Sequence, residues 1–159
     1  MTTWREFSDE APQLAAQVER RFAAHQHKVM ATLRSDGSPR LCGTEVELLD
    51  GELWLGGMTG NLRFADLRRD PRVAIHSGSD EPAQWSGDAR VAGLAVEVTD
   101  PAEHERYRAG VPGDVPPGPF ELFRVALTEA VTVGLDDARE HLVVESWRPG
   151  AAVRRTVRR

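Results

Sequence analysis

Lysine is almost missing from this chain. Lys28 is the only one, so arginine carries nearly all the positive charge. Cysteine is as scarce: with Cys42 alone no internal disulfide can form, which excludes a disulfide-stapled fold and fits a reducing cytoplasm, the expected compartment. No apolar run approaches the length of a membrane span, and the opening MTTWREFSDE is acidic and unlike an export signal, so no membrane partner is expected. A formal net charge of −5 argues against a nucleic-acid partner, although Arg148, Arg154, Arg155, Arg158 and Arg159 gather near the C-terminus.

Several kinds of chemistry are missing as well. There is no Gly-Lys-Ser/Thr and therefore no P-loop. Ser38, Ser77, Ser79 and Ser86 lie in no Gly-x-Ser-x-Gly context, so the nucleophile elbow of a hydrolase is absent. Among five histidines only His25 and His27 are close, and no cysteine or carboxylate stands at ligand spacing beside them; no metal site is expected. Nothing in the sequence around Cys42 marks it as a reactive thiol, so it reads as a small packing residue. Glu45 and Glu47 share one face of a predicted strand, which reads as the solvated face of an edge strand in preference to a catalytic carboxylate pair.

What is present is enough for one domain: 159 residues, 40% hydrophobic and 28% charged. Leu14, Val18 and Phe22 recur at four-residue spacing and predict an amphipathic helix over residues 12–25, with Pro12 tolerated in its first turn. The period then shortens. Residues 28–34, 40–49 and 52–58 read as strands joined by Asp36-Gly37 and Asp50-Gly51, which predicts an antiparallel meander. A helix over 62–69 is stopped by Asp70-Pro71. Strands follow over 73–77 and 89–98, with Gly93 marking a bulge or close approach. A short helix over 102–108 leads to the proline-rich loop 111–119, which could close over a substrate, and strands over 120–133 and 141–147 complete the pattern. The expected class is mainly β: an antiparallel barrel of six to seven strands with two or three flanking helices.

One segment, GNLRFADLRRDPRV at residues 60–73, raises a charge problem. Arg68 and Arg69 suit the C-terminus of its helix, where the macrodipole favours cations, but Arg63 sits in the first turn, where it does not. Gly56, Gly57 and Gly60 allow a tight strand-to-helix transition, and Asn61 is placed to be the N-cap. A phosphate on the free N–H groups of that first turn would give Arg63 a partner. The alternative is an Arg63–Asp66 pair on a solvated face.

Several stretches, in this order, resemble the pyridoxamine 5′-phosphate oxidase-like FMN-binding split-barrel superfamily, including its deazaflavin-using branch. They are MATLRSDGSPRLCGTEVELLDGELWLGGM, NLRFADLRRDPRVAIHS and WSGDARVAGLAVEV, and the likeness spans residues 22–100. The resemblance implies a homodimer of split barrels with two cofactor sites at the subunit interface. It implies that Arg63 binds the cofactor phosphate with help from Asn61, that Gly56, Gly57 and Met58 run alongside the flavin, and that the backbone of Thr44, Glu45 and Val46 faces the ring. Asp88 falls where the partner subunit would touch the cofactor. On this basis the domain over 1–159 divides into an N-terminal helix (1–26), a barrel core carrying half of the cofactor site (27–100), a helix and proline-rich loop (101–119), and closing strands with a basic tail (120–159).

The chain also departs from the family. Cys42 and Glu47 stand where oxidases of the vitamin carry Arg and Lys, and Leu142, Val143 and Val144 stand where they carry Arg and His. Pyridoxamine phosphate is therefore not the expected substrate. The reading is an oxidoreductase that uses FMN, or alternatively the deazaflavin coenzyme F-420, to move hydride to or from a small organic substrate. Trp54, Trp85 and Trp147 either line an aromatic pocket or fill the core. The competing class is a non-catalytic dimeric binding protein of the same fold with an empty site, or one holding haem or another planar ligand with His76 or His25 as axial ligand.

Overall fold

The computed structural model describes residues 1–159. Two helices precede the sheet. In α1 (Trp4–Glu10) the Glu6 N–H donates to Thr3 Oγ1 at 3.1 Å and the Thr3 N–H returns to the Glu6 carboxylate at 2.7 Å, a reciprocal capping box. Apolar periodicity does not predict this helix, although its Thr-x-x-Glu signature is legible. Helix α2 (Pro12–Ala23) buries Leu14, Ala15, Val18 and Phe22, the stripe that the spacing predicts, and ends two residues short of His25.

Nine strands follow, with two more helices among them: β1 (Lys28–Leu33), β2 (Pro39–Thr44), β3 (Glu47–Leu49), β4 (Glu52–Met58), α3 (Leu62–Arg69), β5 (Arg72–His76), β6 (Gly87–Glu97), α4 (Pro101–Gly110), β7 (Phe120–Leu135), β8 (Leu142–Trp147) and β9 (Arg154–Arg158). The class is mainly antiparallel β, as expected, with more strands and helices than the sequence pattern predicts. The extra strands are β3 and the fully exposed β9, which pairs only with β8. No helix is long and apolar enough to cross a membrane.

The expected three-strand meander does not form. The sheet runs β2-β1-β5-β6-β7-β4-β3, so the 40–49 run breaks at Glu45-Val46 and its two halves lie at opposite ends of the path. Hairpins β1–β2 and β3–β4 form, but β4 then pairs with the distant β7, opposing Met58 to Phe120 and Leu53 to Val125. Local turn signals specify each hairpin and say nothing about which hairpin meets which. Strands β6 and β7 are the longest partners, and their register shifts between Ala92 and Gly93. A Cβ on Gly93 would lie 2.2 Å from the Ala126 carbonyl oxygen, so the two backbones approach there as only glycine allows.

The core joins α1 and α2 to the inner faces of these strands. Phe7, Leu14, Met30, Leu55, Phe64, Phe123 and Trp147 are all buried in one cluster. Burying each such side chain stabilises the fold by about 1.5–3 kcal/mol. The Trp147 indole N–H donates to Glu10 at 3.0 Å, which ties β8 to the end of α1. A smaller cluster of Trp54, Val98, Tyr107 and Leu122 seats α4 on the opposite side.

Candidate functional site

Helix α3 begins where the sequence predicts, with Asn61 at the N-cap position, but Asn61 does not cap. Its amide donates backward to the Met58 carbonyl at 2.8 Å and fixes the strand-to-helix turn instead. The Leu62 and Arg63 N–H groups have no acceptor within the chain. Arg63 folds back from this turn. One terminal N–H donates to the Gly43 carbonyl at 2.9 Å, and the guanidinium carbon lies 4.8 Å from the Phe64 ring centroid. The Arg63 Nε is buried and has no partner.

The alternative Arg63–Asp66 pair is not made. Buried Asp66 accepts from Thr32 Oγ1 at 2.7 Å, Arg40 Nε at 2.6 Å and Arg69 at 2.9 Å. Burial alone would push its carboxyl up, but the hydrogen bonds from Arg40, Thr32 and Arg69 prevail and hold it at about 2. Arg68 forks between Glu97 and Glu121. The macrodipole thus accounts for Arg68 and Arg69 only in part, since both have carboxylate partners.

The glycines act through their neighbours. A Cβ on Gly57 would meet Arg63 Nη2 at 2.8 Å, so this glycine is what lets the guanidinium lie against β4. A Cβ on Gly56 would stand 3.0 Å from the Tyr107 hydroxyl. Met58 is 73% exposed and Leu62 is 63% exposed, which leaves an apolar rim beside Arg63.

Gly56, Gly57 and Met58 form one wall of a cleft of about 480 Å³. Glu45 and Glu47 line it too, and Phe120 of β7, beside Met58, together with Tyr107 of α4 and the proline-rich loop completes it. That loop is pinned by Arg108, whose terminal N–H groups donate to the Pro116 carbonyl at 3.0 Å and the Gly118 carbonyl at 2.6 Å. Glu45 lies in the break between β2 and β3, so the two glutamates are not neighbours on an edge strand as the sequence suggests. Thr44 is buried and its hydroxyl donates to the Glu45 carbonyl at 3.1 Å, while Val46 packs against the core. The side chains of Thr44 and Val46 are therefore structural.

Asp88 sits on β6 opposite Val133, with one carboxylate oxygen buried and unpartnered. It does not line the cleft, whose walls come from other elements. Nor do the tryptophans: Trp147 is core, Trp54 donates to the Leu49 carbonyl at 3.1 Å, and Trp85 lies outside it. Tyr107 and its contact with Gly56 escape sequence reasoning, because nothing local links residues fifty apart. No cluster of side chains suited to a metal ion occurs. Cys42 is half-buried, with its sulfur 3.8 Å from the Met30 carbonyl, in keeping with a packing role.

These features can be set beside known proteins. The family model described as Pyridoxamine 5′-phosphate oxidase matches residues 14–134. Among solved structures, a pyridoxamine 5′-phosphate oxidase-related, FMN-binding protein from Nostoc punctiforme is 11% identical with a TM-score of 0.62, over 91% of this chain and 94% of that one. PhzG from Burkholderia lata, in complex with tetrahydrophenazine-1-carboxylic acid, is 14% identical with a TM-score of 0.57, over 95% of this chain and 90% of that one. A haem-binding protein from Mycobacterium smegmatis is 22% identical with a TM-score of 0.59, over 89% of this chain and 57% of that one. At these identities the likenesses show the shared fold. No curated protein matches the chain. With three quarters of its length matched by the family model and its fold shared with these structures, the chain belongs to the pyridoxamine 5′-phosphate oxidase family.

Proposed function

We propose that the protein is an oxidoreductase that binds FMN, or a deazaflavin with the same phosphate-bearing side chain, at the turn between β4 and α3. The buried, unpartnered Arg63 Nε carries this reading. A charged donor left without an acceptor is costly, and the two free N–H groups beside it complete an anion-binding corner. A phosphate there would also reconcile Arg63 with the positive end of the helix. The ring system would then extend along Gly56–Met58 and the backbone of Thr44, Glu45 and Val46.

When bound, such a cofactor supplies hydride transfer by itself. This chain would bind and orient it: Arg63 and the α3 amides would hold the phosphate, Gly57 leaves room for the Arg63 guanidinium against β4, and the loop pinned by Arg108 would screen the cleft from water. We further propose that the protein works as a homodimer, with Asp88 of the second subunit completing each site. The apolar residues left on the surface favour this: Leu41, Val29, Met58 and Leu62 are all exposed.

A haem-binding protein of the same fold is the second reading, favoured by the Mycobacterium smegmatis structure. His25 is a poor axial ligand, since its Nε2 lies 2.9 Å from Asp80, whereas exposed His76 engages only Nδ1. The visible spectrum after adding FMN or haemin separates the two. Bound flavin absorbance and a dimer by light scattering are expected. A Soret band without flavin binding would overturn the oxidoreductase reading, and a monomer would overturn the shared site.

A further inference from the structure

We infer that the hollow between α2 and the β8–β9 hairpin is a second ligand site, and that it takes a small acidic α-amino acid. Its volume is about 300 Å³, and it shares no lining residue with the cleft beside Met58. Strand register builds its floor. Ala89, Thr132, Glu145 and Arg155 stand side by side across β6, β7, β8 and β9, so all four project to one face. Helix α2 packs on β6 and β7, and the hairpin projects past it, which opens the hollow. Gln17 of α2 reaches across: its amide N–H donates to Glu145 at 3.3 Å, and its carbonyl accepts from the buried Thr132 hydroxyl at 3.3 Å.

Two half-buried charges of opposite sign line this hollow without an ionic partner. Arg21 lies down on the sheet, where a Cβ on Gly87 would stand 2.9 Å from its Nη2. Its terminal N–H groups donate to the Ser86 hydroxyl and the Ser86 carbonyl, each at 2.8 Å. Both acceptors are neutral, so the guanidinium is fixed in place with its charge unmatched. Glu145 receives only the neutral amide of Gln17. Arg155 stands opposite Glu145 on β9, yet neither it nor Arg20 makes a side-chain hydrogen bond or an ion pair. Of the remaining carboxylates, Asp136 is taken by His141 at 2.7 Å and exposed Asp137 is free. Unmatched guanidiniums and unmatched carboxylates therefore share one small space. An acidic α-amino acid carries the complement: its two carboxylates suit the guanidiniums of Arg20, Arg21 and Arg155, and its ammonium suits Glu145. A dicarboxylate without the ammonium leaves Glu145 as a repulsive neighbour.

This site needs no flavin and stands whether or not the proposed cofactor binds. The test is calorimetric titration of the purified protein at neutral pH with L-aspartate and with succinate, which is the same dicarboxylate without the ammonium. L-Aspartate is expected to bind about tenfold more tightly than succinate. Glu145→Gln keeps an acceptor for Gln17 and should bring L-aspartate down to the level of succinate. Arg155→Gln should weaken both ligands severalfold, and Arg21→Gln should abolish both. Arg154→Gln, on the opposite face of β9, should change nothing. Arg21 also anchors Ser86, so the decisive variants are those of Glu145 and Arg155, which leave that anchor alone. No heat of binding with millimolar L-aspartate would overturn the inference, as would succinate binding equally well. So would a preference that persists in Glu145→Gln, or a loss in Arg154→Gln equal to that in Arg155→Gln.

Discussion

The two ends of α3 carry the same kind of side chain and treat it in opposite ways. At the C-terminal end every guanidinium is matched: Arg69 and Arg40 meet Asp66, and Arg68 meets Glu97 and Glu121. At the N-terminal end Arg63 holds one backbone carbonyl, leaves its Nε buried and unpaired, and stands beside two free amides. A protein builds the first arrangement to hold itself together. The second is incomplete by itself, and an anion from outside is the partner that would complete it. Folding stability should therefore depend on one end of this helix and ligand affinity on the other.

The largest effect is expected from Asp66→Asn. It leaves Arg40 with a weakened acceptor inside the fold, and removing one partner of a buried pair costs about 3 kcal/mol, to be read from urea unfolding. FMN affinity of the folded variant should hardly move. The same carboxylate sets the acid limit. Its pKa is held at about 2 when folded against an ordinary 3.8, so its contribution is complete above the ordinary value and is lost as pH falls through about 2. Unfolding followed between pH 5 and pH 2 should show this loss in the parent and a flatter limb in Asp66→Asn.

Gly57→Ala tests the other end. The new methyl displaces the Arg63 guanidinium, and FMN affinity should drop about tenfold for roughly 1 kcal/mol of stability. The smallest effect belongs to Asn61→Ala, which removes a single hydrogen bond to Met58 and should lower stability by about 1 kcal/mol or less. An Asn61 variant with greatly weakened FMN binding would show that its side chain touches the ligand directly, which sharpens the comparison.

The sequence pattern tracks what is local. The bounds of α3 follow from Asn61 before it and Asp70-Pro71 after it, β4 spans the residues the pattern predicts, and the anomaly of Arg63 is visible as a cation at the wrong end of a dipole. What it misses is pairing at a distance. The break at Glu45-Val46 sends β3 to the far end of the sheet, β4 meets β7 across some seventy residues, and Tyr107 reaches Gly56 only because α4 packs on Trp54 and Leu122. Periodicity carries no information about such partners. The acidic, tyrosine-walled cleft is therefore a property of the assembled fold, even though each of its residues is ordinary in sequence.

The most direct test of the account compares FMN with riboflavin, which differ only by the phosphate, on the parent protein and on Arg63→Ala. A charged hydrogen bond to phosphate is worth about 1.5–3 kcal/mol, so the parent should prefer FMN by roughly ten- to a hundredfold. Arg63→Ala should remove most of that preference, leaving the part the α3 amides supply, with riboflavin affinity and unfolding stability nearly unchanged. A preference for FMN left undiminished in Arg63→Ala, or a parent that binds both flavins equally, would contradict the claim that this end of the helix is built for the cofactor phosphate.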